Sequence, residues 1–227
     1  LSKMIAEGVK NNPNAELVLM EKHGLVTWGD TAEACYAKTI AIINEAENYI
    51  KECIDEEKAF GGQQYTSLPK EERKNILGEV LPIIRGAVSD KRNMILTWDD
   101  GDDVLQFVNS RHAKELSQVG AACPDHLVHT KRVPLYIDWD PQKENQASLI
   151  EKLKAGIAGY KEEYKSYFER NKNEGDKMFE AAPRVILIPG IGMVNTGKNE
   201  KMSRISGALY HRAIAVMKGT DALGKFV

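Results

Sequence analysis

The chain has five histidines, which are its best candidates for metal chemistry: His23, His112, His126, His129 and His211. A catalytic zinc site takes three protein ligands, usually histidine or carboxylate, and keeps a fourth position open. His23 lies where the backbone turns out of an apolar segment, a usual place for a ligand or a catalytic group. Because no second ligand stands beside it in the sequence, the residues alone favour a hydrogen-bonded structural histidine, and a metal ligand is the alternative.

The residues around this histidine predict a strand, a tight turn, a second strand and a helix. Leu17–Met20 is an apolar run of strand length, and apolar residues resume at Leu25–Trp28 after the turn. Asp30 is followed three residues later by Glu33, which is the spacing of a capping box. We therefore predict that a long helix begins here and continues to about residue 60.

The same unit occurs a second time near the end of the chain. Segments 15–31 and 183–199 align without a gap, and both are followed by a predicted helix. The identical pairs are Leu19/Leu187, Gly24/Gly192, Val26/Val194 and Gly29/Gly197. We interpret this as an internal duplication, although strand, glycine turn, strand and helix is a common enough order to arise by coincidence. The histidine is not repeated, since His23 aligns with Ile191.

Strands alternate with helices along the chain, which predicts an α/β fold. The glycine-containing polar segment 61–67 is the predicted linker between a first domain at 1–60 and a second at 68–227. A long, highly charged helix is predicted at 141–171.

An acidic segment, Asp99–Asp103, separates two apolar runs. Met94–Trp98 predicts a strand, and Val104–Val108 predicts its hairpin partner. The acidic segment lacks the spaced ligands and terminal glutamate of an EF-hand calcium loop, so we predict a solvated turn.

A second polar cluster lies in the middle of the chain, where His126 and His129 are three residues apart. Asp125 precedes them, and Lys131 and Arg132 follow. The histidines converge if this segment is helical and diverge if it is extended. The basic pair could hold an anionic group, or the segment could be a capped turn with a solvated basic edge.

The segment Gly192–Asn199 nearly fits a phosphate-binding loop. That motif needs a serine or threonine hydroxyl after the lysine, and Asn199 lacks one. A dinucleotide fingerprint is also incomplete, because Asn195 stands where its third glycine would be. We predict no nucleotide site here.

Composition argues against several classes of partner. A net charge of −2 gives no reason to expect nucleic acid or an anionic membrane as a partner. We expect neither a membrane span nor a signal peptide. Cys35, Cys53 and Cys123 are scattered, which predicts unbridged, buried thiols in a reducing cytoplasm.

The segment Lys22–Ala34, with its His-Gly, Gly and Glu-Ala pattern, resembles the late motif of class II aldolase/adducin domains, in which the histidine is the last zinc ligand. Two further segments, Cys123–Pro134 and Pro183–Met193, are similar to the middle region of bifunctional rhamnulose-1-phosphate aldolase/short-chain alcohol dehydrogenases. The resemblance covers essentially the whole chain. It implies a three-layer α/β/α fold of the class II aldolase type.

The activity implied by this resemblance is a zinc-dependent cleavage of a ketose 1-phosphate, rhamnulose 1-phosphate, to dihydroxyacetone phosphate and lactaldehyde. Only His23 carries over as a site residue, in the role of metal ligand. The other family ligands, the catalytic base and the phosphate loops would precede Leu1, and an NAD-binding dehydrogenase domain would follow Val227. No catalytic residue and no cofactor-binding residue is therefore expected in this chain.

We accordingly expect an interior piece of a bifunctional, homo-oligomeric enzyme that acts on a small sugar phosphate, with no activity of its own. Two alternatives stay open. The second domain could be a non-catalytic structural or oligomerisation domain, or the protein could be a phosphosugar epimerase on the same fold.

Overall fold

The structure is a computed structural model that describes residues 1–21 and 23–224. It divides into two compact units, Leu1–Ile54 and Asp55–Val227. The predicted linker at 61–67 lies inside the second unit. There the Gly62 carbonyl accepts a hydrogen bond from the Arg111 backbone amide. No helix in the described part of the chain is both long and apolar enough to cross a membrane.

The first unit consists of helix α1, a two-stranded antiparallel hairpin and helix α2. Their bounds are α1 Ser2–Asn11, β1 Leu17–Met20, β2 Gly24–Thr27 and α2 Ala32–Cys53. The cap of α2 is Thr31 rather than the predicted Asp30, because the Thr31 side chain accepts a hydrogen bond from the Ala34 amide. No described residue of this unit is buried.

Helix α2 ends earlier than predicted. Ile54 leaves the helix in an extended conformation, and the chain then enters the second unit. Phe60 lies there in a short 3-10 turn and is fully buried against Phe107 and Tyr210. The apolar residue at the predicted helix end therefore belongs to the core of the second unit.

The second unit is built on a four-stranded sheet with the strand order β3-β6-β5-β4. The strands are β3 Ile95–Asp99, β4 Leu135–Tyr136, β5 Val185–Ile188 and β6 Gly192–Gly197. The β3–β6 and β5–β6 pairs are antiparallel, whereas β4 pairs with β5 in parallel. Strand β6 is therefore hydrogen-bonded along both edges, and the segment that resembled a phosphate-binding loop is a central strand.

Six helices accompany this sheet in the described part of the second unit. They are α3 Lys70–Val88, α4 Asp102–Val108, α5 Ala113–Leu116, α6 Pro124–Thr130, α7 Gln146–Asn171 and α8 Glu200–Leu223. Helix α7 begins later than the predicted residue 141, because Asn145 caps it by accepting a hydrogen bond from the Ser148 amide.

Helices cover both faces of the sheet. The alternation along β5 places Ile186 and Ile188 in a core formed with α3 and α7. Val185 and Leu187 point to the opposite face, in a core formed with α4, α5 and α8. The predicted α/β class and three-layer α/β/α arrangement are thus confirmed.

The predicted hairpin partner at Val104–Val108 is wrong, because this segment is helix α4. Gly101 stands at the N-cap, and Asp102 and Asp103 occupy the first turn, where negative charge is favoured by the helix dipole. Strand β3 pairs instead with the distant β6, so the local apolar pattern did not reveal its partner.

The two copies of the repeated unit have the same internal geometry. Each hairpin has the same register: Leu17 pairs with Thr27 and Met20 with Gly24, as Val185 pairs with Asn195 and Ile188 with Gly192. The first residue after each turn is a glycine with positive φ, 137° at Gly24 and 124° at Gly192. The helix caps also correspond, since Thr31 and Asn199 each accept a hydrogen bond from the amide three residues later. These matches support the duplication.

The glycine before each helix is a second shared constraint. A Cβ atom on Gly29 would lie 2.8 Å from the Cys35 amide nitrogen, and one on Gly197 would lie 2.3 Å from the Ser203 amide nitrogen. The first turn of the helix therefore packs on the strand end so closely that only glycine fits.

This packing predicts that Gly197→Ala lowers the free energy of unfolding of the second unit by about 1–3 kcal/mol, since backbone atoms must move. Gly78→Ala in helix α3 is the matched control, because its new Cβ atom meets nothing within 4 Å. That change should stabilise the helix by about 0.5–1 kcal/mol. Urea unfolding measures both; equal effects of the two substitutions would contradict the proposed close packing.

Candidate functional site

His23 lies in the exposed turn between β1 and β2. Its backbone amide donates a hydrogen bond to the Met20 carbonyl, which closes the turn. The ring Nδ1 lies 3.1 Å from the Glu21 carbonyl oxygen. A carbonyl only accepts, so Nδ1 is the donor in this contact. A ring held in this way leaves Nε2 as the nitrogen that can bind a metal ion.

At this turn, the described structure offers one metal-ligand candidate, His23. Among residues 1–21 and 23–224, no group of three or more His, Cys, Asp or Glu side chains is arranged to hold a metal ion. The tautomer of His23 fits the role of zinc ligand. Its assignment as a ligand stays a prediction, and the described part of the chain would supply a single donor to a zinc site.

The equivalent turn of the second copy has different chemistry. Ile191 occupies the position of His23 and is fully buried in the core between the sheet, α3 and α7. Its carbonyl accepts a hydrogen bond from the Trp98 indole at 3.2 Å. This turn is packed into the protein, whereas the first is open to solvent.

The two histidines that are three residues apart lie on helix α6. His126 is buried, and burial lowers its pKa although the charge of Asp125 opposes the shift. The Nδ1 atoms of His126 and His129 are both buried without a hydrogen-bond partner among the described residues. Neither histidine belongs to a group of three or more His, Cys, Asp or Glu side chains that could hold a metal ion among residues 1–21 and 23–224.

The basic edge that follows α6 is only half solvated. Arg132 is exposed, whereas Lys131 is 5% exposed and has a left-handed backbone with φ of 64°. The Lys131 Nζ donates a hydrogen bond to the Glu180 carbonyl and lies 3.4 Å from the centre of the Tyr164 ring. The alternative of a solvated basic edge is therefore wrong for Lys131.

Burial, together with the charge of the neighbouring Arg184, lowers the pKa of Lys131 to about 7, and the charge of Glu180 opposes this shift. An amine with this pKa is partly neutral at physiological pH. The sequence indicated a basic pair here, but burial of its lysine depends on α7 and on the segment before β5, which are distant in the chain.

His211 forms a cluster that the sequence did not reveal. It lies on α8 with Nδ1 2.5 Å from Asp103 Oδ2 and Nε2 2.8 Å from Asp99 Oδ2. Both carboxylates are acceptors, so both ring nitrogens carry protons and the imidazole is charged. Asp100 forms an ion pair with Arg73 at 2.7 Å. The prediction of a simple solvated acidic turn is therefore wrong, because this segment binds a histidine and an arginine.

Burial alone would lower the pKa of His211, but the hydrogen bonds and charges of Asp103 and Asp99 outweigh it and raise the pKa above its usual value. The cluster therefore stabilises the fold fully below about pH 6.5, and this contribution is lost as pH rises through the raised pKa of the folded state.

We predict that histidine NMR of the chain gives a pKa for His211 above about 6.5. Asp103→Asn keeps the shape of the side chain and removes one charge, so it should lower that pKa. Glu115→Gln on α5 replaces an exposed carboxylate outside this cluster and serves as the control. A His211 pKa that Asp103→Asn leaves unchanged would contradict the assigned contacts.

Comparison with known proteins matches both parts of the chain to class II aldolase families. Residues 75–227 match the family "Aldolase class II, second domain", and residues 1–50 match "Class II Aldolase and Adducin N-terminal domain". The chain is 65% identical over 227 residues to "Uncharacterized oxidoreductase YuxG" of Bacillus subtilis (strain 168). The match covers 100% of this chain and 33% of that protein, so the chain spans about a third of its relative.

No solved structure matches the chain significantly. The family match over residues 75–227 covers more than half of the sequence, and the match over residues 1–50 includes the histidine turn. The chain therefore belongs to the class II aldolase family.

Proposed function

We propose that this chain supplies one zinc ligand, His23, to a zinc-dependent aldolase. The observation that carries the proposal is the hydrogen bond from Nδ1 to the Glu21 carbonyl in an exposed turn. Metal-bound histidines usually donate their second ring N–H to a carbonyl or carboxylate, which fixes the tautomer and the ring orientation. The remaining ligands of the site would come from other parts of the protein.

The substrate that we propose is a ketose 1-phosphate, rhamnulose 1-phosphate, which is cleaved to dihydroxyacetone phosphate and lactaldehyde. Support comes from segments 123–134 and 183–193, which resemble the bifunctional aldolase/dehydrogenase group. Zinc, when bound, supplies a Lewis acid that polarises the substrate carbonyl. His23 would hold the ion through Nε2, and we assign no proton transfer to this chain.

The protein that contains this chain is proposed to carry a dehydrogenase domain as well, which would use NAD. The supporting observation is that the relative with 65% identity is named an oxidoreductase and that the chain covers 33% of it.

A cytoplasmic location is proposed on separate grounds. Cys35, Cys53 and Cys123 are all free thiols, as expected in a reducing compartment.

His23→Ala in the full-length protein is expected to reduce lyase activity with rhamnulose 1-phosphate by at least about 100-fold. Mutation of a residue that only hydrogen-bonds to a metal ligand typically lowers metal affinity or activity by about 10- to 100-fold. Because His23 is proposed to be a ligand itself, we expect at least the upper end of this range. Release of dihydroxyacetone phosphate, followed by a coupled assay, measures the loss.

The matched control is His112→Ala, which removes an exposed histidine of the second unit. Its lyase activity should stay within about twofold of the unaltered protein, as for most surface substitutions. Full activity in His23→Ala would refute the assignment of this ligand.

We further propose that the second unit is a copy without a metal site and has a structural role. The burial of Ile191 in its core supports this, because a ligand at that position would be shielded from solvent and substrate. In this proposal, the turn of the second copy packs in a hydrophobic core and does not bind metal.

Ile191→His is accordingly expected to destabilise the second unit by about 2–5 kcal/mol, since it replaces buried apolar volume with an unpaired polar ring. The zinc content should not rise. Val119→His, at a site that is 45% exposed, is the control and should change the unfolding free energy by less than about 0.5 kcal/mol. A gain of bound zinc in Ile191→His without loss of stability would argue against a second unit that has no metal site.

A further inference from the structure

A cavity of about 550 Å³ lies in the second unit beside the buried Lys131. It is bounded by α6, α7, the start of α8 and the segment before β5. This volume is within the range of small-molecule sites in proteins. The cavity is contained wholly in the second unit and shares no residue with the histidine turn of the first.

The cavity has cationic groups on several sides: Arg92, Lys131, Arg184 and Lys198. The Glu180 carboxylate is already paired with two of them, at 2.8 Å from Arg92 and 3.2 Å from Arg184. Lys131 contacts only the carbonyl of that glutamate. Lys198 forms no ion pair with any described residue. Positive charge therefore exceeds negative charge along the wall of this cavity.

The other carboxylate on the cavity wall does not restore the balance. Asp90 is paired with Lys161 at 2.8 Å, and Lys91 adds a further exposed cation on the wall. Guanidinium groups match the oxygen geometry of phosphate, and lysine binds phosphate as a point charge.

Apolar side chains form part of the remaining wall. Phe179 is 71% exposed, Met178 is 40% exposed, and both line the cavity. A ligand with a carbon skeleton attached to its anionic group would cover these side chains, whereas an inorganic ion would leave them in water.

We propose that this cavity binds a small phosphate monoester, with its phosphate at Lys131, Arg184 and Lys198 and its carbon skeleton against Met178 and Phe179. No residue of the first unit lines this cavity, and His23 is not part of it. The two proposals can thus fail independently: zinc content tests His23, and monoester binding tests the cavity.

Binding of the phosphate monoester should be coupled to protonation of the Lys131 amine. The charged or titratable groups that line the same cavities or contact it are Asp90, Lys91, Arg92, His126, His129, Arg132, Tyr160, Tyr164, Lys165, Glu180, Arg184, Lys198 and Tyr210. Of these, Glu180 and Asp90 are carboxylates; two arginines pair with Glu180, and Lys161 pairs with Asp90. A bound dianion would raise the pKa of the Lys131 amine from its value of about 7. The amine would then take up a proton during binding.

The test is calorimetric titration of the 227-residue chain with glycerol 3-phosphate at pH 8, in two buffers with different ionisation enthalpies. At this pH the monoester is already a dianion and Lys131 is mostly neutral. We expect saturable binding with uptake of about half a proton or more per ligand. Uncharged glycerol should not bind. Equal binding of glycerol, or no binding of glycerol 3-phosphate, would overturn the proposal.

Two exposed lysines near the start of α8 provide matched variants. Lys198→Gln removes a cation from the cavity wall and should weaken glycerol 3-phosphate binding about 3- to 10-fold. Lys201→Gln changes an exposed lysine that does not line this cavity, so its affinity should stay within about twofold. Equal affinity in both variants would place the binding elsewhere and overturn the proposal.

Lys131→Met tests the proton coupling, with circular dichroism as the check on folding. A folded variant should bind glycerol 3-phosphate more weakly and without proton uptake. If it fails to fold, Arg184→Gln replaces it, with an expected loss of affinity of at least about 10-fold. Unchanged affinity and unchanged proton uptake in the folded variant would show that Lys131 does not contact the ligand, and would overturn the proposal.

Discussion

The close contact between a strand end and the first turn of the next helix is the constraint on which the repeated unit depends. At Gly197 the Ser203 amide lies where a Cβ atom would be, and Gly29 has the same relation to Cys35. This contact sets where the helix starts relative to the hairpin, and the cap residues Thr31 and Asn199 follow directly. The unit has thus kept its backbone geometry while the side chains between these fixed points have diverged.

The divergence is greatest at the hairpin turn. His23 is exposed and holds its ring by a backbone hydrogen bond, whereas Ile191 is fully buried. In the second unit, β6 gains β3 as a partner on its other edge and helices on both faces, so its turn becomes part of a core. No described residue of the first unit is buried. One backbone unit therefore occurs in an open setting that leaves a histidine accessible and in a packed setting that does not.

Local patterns were sufficient for much of this fold and insufficient for contacts between distant segments. The repeat was predictable because its glycines and apolar residues recur at the same spacing, and the α/β class followed from the alternation of elements. Val104–Val108 was predicted as a strand since the apolar pattern of a short segment does not separate strand from helix. The pairing of Asp99 and Asp103 with His211, and the burial of Lys131, join segments far apart in sequence, so no spacing rule could find them.

The central claim is that the chain has two copies of one unit and that only the first binds metal. The most direct measurement is elemental analysis of zinc in the full-length protein and in its His23→Ala variant, both purified without chelator. The account predicts that the variant loses one zinc per chain while its second unit stays folded. Retention of all zinc by His23→Ala would contradict the account.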